Sequence, residues 1–187
     1  TRRGSAPGLS GMRFEHLKVM LDTEDSMELL GFAAALLAKA DVPAPVQRGL
    51  AMSRLTALRK PGWTEAAGGV RGIATGDAFR RLVARALARQ YAATFAAATL
   101  PYQFALQTRA GTDALALLLR AATDLDPATT IVSLDGRGAY DHVSRAAFLA
   151  KLHEVAPALT PFVRQWYGAE SRYFWWDDEG VRHVISQ

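Results

Sequence analysis

Cysteine is absent from the 187 residues, which excludes disulfides, thiolate zinc sites, iron–sulfur clusters and a cysteine nucleophile. Long apolar runs are missing too: none approaches the ~20 residues that a membrane span needs, and no basic-then-apolar leader opens the chain. A soluble, intracellular protein of nucleus or cytoplasm is expected, not secreted and with no membrane partner. The four histidines, His16, His142, His153 and His183, show no i,i+4 pairing, so a histidine zinc site is not expected. There is no Gly-Lys-Ser/Thr phosphate loop, no Gly-x-Gly-x-x-Gly after a strand and no Gly-x-Ser-x-Gly elbow, since Gly8-Leu9-Ser10-Gly11 has the wrong spacing.

What is present is a chain half of whose residues are hydrophobic, long enough to bury on the order of 70% of its unfolded surface. That length suits one domain, or one domain and part of another. The chain opens on Thr1 and stops at Gln187 after the strand-like Val184-Ile185-Ser186, so both ends are expected to be cut. The net charge of +4 conceals a gradient: residues 48–109 hold ten Lys/Arg and two Asp/Glu, whereas residues 110–187 hold seven and ten. Eighteen of the 22 cations are Arg, beside 35 Ala. GC-rich coding explains Arg over Lys, but not the clustering, which argues for a polyanionic partner.

Along the chain, Pro7, Gly8 and Gly11 make a loop, after which Phe14 to Leu21 forms a short helix. A second helix is predicted from Met27 to Lys39, capped by Ser26. Leu55 to Leu58 and Val70 to Ala74 pattern as two strands of a hairpin spanning 53–75, joined by a long tip from Pro61 to Gly69. Asp77 is a plausible N-cap for a helix running to about Ala97, with Arg81, Arg85 and Arg89 spaced along one face. Thr112 to Thr123, Ser144 to His153 and Pro157 to Tyr167 are further helices. Thr130-Ile131-Val132-Ser133-Leu134 reads as a strand buried on both faces, ending at Asp135. Arg172 to Trp176 and Val181 to Ser186 read as a hairpin around Asp177-Asp178-Glu179-Gly180. The class is α+β.

The candidate chemistry sits in Ile131 to Asp141. A buried strand that delivers a carboxylate at its C-terminal edge presents a metal ligand or a nucleophile; equally, Asp135 could merely cap the next turn.

The string Asp135-Gly136-Arg137-Gly138-Ala139-Tyr140-Asp141 resembles the Asp-x-x-x-Ala-Phe/Tyr-Asp block of reverse transcriptases, most like those of non-LTR retrotransposons and group II introns. Four further blocks resemble that family in its own order: Ala6-Pro7-Gly8 to Gly11 with Glu15-His16-Leu17-Lys18; Leu55 to Lys60 with Val70-Arg71-Gly72-Ile73; Gln103-Phe104-Ala105 to Arg109-Ala110-Gly111-Thr112; and Ser186-Gln187. The resemblance implies an RNA-directed DNA polymerase of a retroelement in an incomplete right-hand fold: a fingers-like region over 1–125 that contains the 53–75 hairpin, and the first part of the palm over 126–187, with a palm strand and hairpin, truncated before the second catalytic block. The implied partners are an RNA template, a DNA primer and a dNTP.

The resemblance also implies site roles. Asp135 would be the catalytic carboxylate and bind two magnesium ions, with the backbone carbonyl of Gly136 binding one; the other carboxylates are absent from this stretch. Tyr140 would form the steric gate under the sugar. Lys60 and Arg71 would grip the triphosphate from opposite strands, and Arg80, Arg81, Arg85 and Arg89 would neutralise template phosphates. Asp141 is assigned to structure. The family's Arg-Pro-Ile is Arg71-Gly72-Ile73 here. Trp175-Trp176-Asp177-Asp178 imitates the family's aromatic-x-Asp-Asp hairpin but precedes Ser186-Gln187, so it is expected to be a turn. A fragment inactive by itself is expected. The alternative is a non-catalytic nucleic-acid-binding module derived from such a polymerase; an unrelated α/β phosphotransferase fits poorly, because Arg137 stands where its second acid belongs.

Overall fold

Glu24 and Asp25, acids in a first turn, follow Thr23, whose hydroxyl accepts the backbone N–H of Ser26 at 3.3 Å. These are the ingredients of a helix start. The helix therefore begins at Glu24, and the cap is Thr23 rather than the expected Ser26. The computed structural model that contains it describes residues 4–64, 68–105, 108–136 and 139–187. In chain order the helices are α1 (Phe14–Val19), α2 (Glu24–Ala38), α3 (Ala44–Ala51), α4 (Ala78–Gln90), α5 (Ala92–Thr99), α6 (Gly111–Leu125), α7 (Ala139–His142), α8 (Arg145–Val155) and α9 (Thr160–Tyr167). The strands are β1 (Ser53–Thr64), β2 (Gly68–Thr75), β3 (Arg172–Trp176) and β4 (Arg182–Ser186).

The mixed α and β class matches the expectation, and so do both hairpins. β1 pairs antiparallel with β2, and β3 with β4. The first hairpin departs in extent: its strands run through Thr64 and from Gly68, with an irregularity between Arg59 and Thr64, because Pro61 and Gly62 interrupt the ladder without ending the strand. Pattern reading also missed α3, which opens after Pro43 with Pro45 in its first turn, where proline is tolerated. The long helix expected from Ala78 breaks at Tyr91 into α4 and α5. Tyr91 at the break and Phe95 beyond it both pack against the core.

Residues 130–134 are a correction. They form no strand, and Ile131, Val132 and Leu134 are 51%, 71% and 90% exposed. Apolar β-branched residues favour burial, but a strand exists only where a neighbour completes its ladder. Among the described residues none does: the sheet order is β2-β1-β3-β4, with β1 parallel to β3 through Ser53 opposite Tyr173 and Arg54 opposite Phe174.

The core gathers Leu37 of α2, Val83 of α4 and Leu152 of α8 around Phe162 and Trp166 of α9, with Phe162 and Trp166 edge to face at 5.8 Å. Gln165 locks the seam: its side-chain amide donates to the backbone carbonyl of Leu37 at 2.9 Å, and its backbone carbonyl accepts from the Gln47 side-chain amide at 3.0 Å. Sheet and core thus both draw on residues from either side of position 126.

Candidate nucleotide and nucleic-acid site

The turn from β2 into α4 organises the region. Asp77, buried, caps α4 by accepting the Phe79 backbone N–H at 2.8 Å, and its second carboxylate oxygen accepts the Ser10 hydroxyl. The Pro7 to Gly11 loop is thereby held against the root of the hairpin. The approach is close enough that a Cβ on Gly8 would meet Gly76 O at 2.8 Å and Asp77 N at 2.9 Å.

The four arginines of α4 divide into two kinds. Arg80 reaches back to α3, donating to the carbonyls of Leu50 and Ala51 at 3.3 Å each, and its guanidinium lies 4.4 Å from the Trp166 ring centroid. It satisfies helix-end carbonyls that α3 leaves without partners. Burial pushes the Arg80 pKa below its ordinary value, and Tyr167, Tyr173 and Asp77 push it back up; the group keeps its charge. Arg81 donates to the carbonyl of Ala6 at 2.9 Å and lies 4.9 Å from the Phe14 ring centroid, pinning the N-terminal segment. Arg85 and Arg89 are exposed and make no hydrogen bond or ion pair among the described residues. Only these last two leave their full charge to solvent or a ligand.

On the hairpin, Arg71 of β2 stands opposite Leu58 of β1 and is exposed. Lys60 lies on β1, but its side chain is outside the described residues, as is that of Tyr140 in α7. Gly72 leaves room for Leu55, whose Cδ1 would sit 3.2 Å from a Cβ at position 72. Asp135 and Gly136 are exposed, beyond the unpaired 130–134 segment. No group of three or more His, Cys, Asp or Glu that could hold a metal ion occurs among the described residues. Asp135 is one carboxylate, so the described residues do not by themselves fit a two-magnesium centre.

Asp177 forms a turn, as expected from its sequence, where Glu179 and Gly180 follow. One of its carboxylate oxygens accepts the backbone N–H groups of Glu179 and Val181, the other contacts His183 Nε2 at 2.7 Å, and Gly180 has a φ of 81°. The hydrogen bond from His183, aided by that from Val181, holds the Asp177 pKa below its ordinary value.

Sequence reading missed a cleft of about 510 Å³ between the sheet root and α4, lined by Ser53, Gly76, Arg80, Arg81, Tyr167 and Tyr173. The two tyrosines come from α9 and β3, and no local pattern links either to the hairpin. No helix among the described residues is long and apolar enough to cross a membrane. No protein-family model matches the chain, and neither a curated protein nor a solved structure matches it.

Proposed function

We propose that the chain is the fingers and first part of the palm of a retroelement RNA-directed DNA polymerase, which adds deoxynucleotides to a DNA primer on an RNA template. The observation that carries this reading is the β1/β2 hairpin, which bears Lys60 and Arg71 on opposite strands between blocks that keep the polymerase order on either side. An exposed guanidinium on a hairpin suits bidentate contact with a triphosphate, and Arg85 and Arg89 add free positive charge for a template backbone. In this reading Asp135 and the Gly136 carbonyl contribute to a magnesium site completed by carboxylates elsewhere in the parent protein, and Tyr140 lies under the sugar.

A second reading, a non-catalytic nucleic-acid-binding module descended from such a polymerase, is favoured by one observation: among the described residues Asp135 belongs to no group of three or more His, Cys, Asp or Glu that could hold a metal ion. Primer extension by the full-length parent on a primed RNA template, with Asp135→Ala beside it, separates the two. The polymerase reading expects synthesis that the substitution abolishes. Undiminished synthesis by Asp135→Ala removes the assignment of Asp135, and no synthesis by the parent favours the module.

A further inference from the structure

The four strands carry Arg54, Arg59, Lys60, Arg71, Arg172 and Arg182 and not one Asp or Glu. Strand alternation sorts them by face. Ser53 and Tyr173 turn toward α4, where they line the cleft. The pairings Arg54 with Phe174 and Trp176 with Arg182, together with Leu58 opposite Arg71, place these six side chains on the other face. That face is open: Arg54, Arg71 and Arg182 are exposed, and so is Trp176, at 42%. Its cations and rings interlock diagonally, with the Arg54 guanidinium 5.7 Å from the Trp176 ring centroid and that of Arg182 5.5 Å from Phe174.

Two arginines braced on two aromatic rings form a surface with planar stacking partners and fixed positive charge, and no carboxylate in its strands opposes an anion. Aromatic and guanidinium planes on a sheet suit unpaired bases, because every base has a π-face, while the same arginines meet the phosphates between them. A duplex hides its base faces and gains only the charge. We propose that this open sheet face binds single-stranded nucleic acid, by stacking on Phe174 and Trp176 and by phosphate contact with Arg54 and Arg182. The surface is distinct from the α4 arginines and needs neither metal nor nucleotide, so it stands whether or not the parent polymerises.

Fluorescence anisotropy in EDTA, without nucleotides, tests it with labelled oligo(U), oligo(dT) and a blunt duplex, each about 12 nucleotides long. Both single strands should bind more tightly than the duplex. Trp176→Ala should weaken single-strand binding at least about fivefold, and Arg54→Gln with Arg182→Gln should flatten the slope of log affinity against log salt by roughly 0.7 for each phosphate no longer neutralised. Circular dichroism checks folding, and should Trp176→Ala unfold, the two exposed arginine substitutions carry the test. A duplex bound as tightly as the single strands, or single-strand affinity and salt slope unchanged in the arginine variant, overturns the proposal. Single-strand binding that disappears in these variants but persists in a parent that extends no primer would keep this proposal and discard the polymerase reading.

Discussion

The hydroxyl of Ser10 donates to the carboxylate of Asp77 at 2.5 Å across 67 residues of sequence, and the same carboxylate caps α4 through Phe79. One buried side chain therefore fixes both the start of the arginine helix and the N-terminal loop beside it. Asp77→Ala removes the cap and leaves Ser10 without its acceptor, and should cost about 2–4 kcal/mol. Asp77→Asn keeps a capping oxygen and should cost less. Urea unfolding midpoints check this; equal losses for the two would mean that capping is not what Asp77 contributes.

Two glycines should respond in opposite directions to the same substitution. Gly8→Ala drives a methyl into backbone atoms of Gly76 and Asp77 that have little room to yield, and should destabilise by roughly 1–3 kcal/mol. Gly31→Ala, in mid-α2 with nothing within 4 Å of the new carbon, should stabilise by about 0.5–1 kcal/mol. Thermal melts of the pair would show the signs directly, and a neutral Gly8→Ala would refute the close approach.

Arg80 and Arg85 lie five residues apart on α4 but should differ in kind. Arg80→Ala gives up two carbonyl partners and the stacking on Trp166, an expected loss of about 2–4 kcal/mol. Arg80→Lys should not restore it, because an ammonium lacks the planar fork. Arg85→Ala should stay within about 0.5 kcal/mol of the parent in stability, while reducing the salt dependence of nucleic-acid binding. Guanidinium-chloride unfolding beside a salt titration of binding distinguishes the two.

The β3–β4 turn should weaken in acid. The folded Asp177 pKa lies below its ordinary value of 3.8. Its contribution is therefore fully present above that pH and disappears as the pH falls through the lower folded value. Trp175 stacks on His183 at 4.5 Å, so tryptophan fluorescence reports the loss. Asp177→Asn should abolish that acid step; an identical acid transition in the variant would assign it elsewhere.

Legibility followed the range of the forces. Residues 55–58, 70–74, 172–176 and 181–186 are short runs rich in apolar, aromatic and β-branched residues, separated by local Pro/Gly or Asp/Gly turn residues, so both hairpins could be read from sequence; Asp77 and Ser144 were legible as caps because a cap acts over two or three residues. The candidate site was legible only as residue types in order. Nothing local distinguishes Arg80 from Arg85: α3 and Trp166 make the first a structural group, and they arrive from 30 and 86 residues away. The exposed 130–134 segment shows the same limit, because an apolar run states a preference for burial while only a neighbouring strand makes a ladder.

The sequence by itself determined the α+β class, the two hairpins, the start of α4 and the concentration of arginine in the middle of the chain, since each rests on neighbours along the backbone. Only the tertiary structure decided that β1 joins β3, that Arg80 and Arg81 are drawn into packing, and that Arg54, Arg182, Phe174 and Trp176 share one open face. Sheet order and long-range contact depend on which distant surfaces bury one another, and no local pattern encodes that choice.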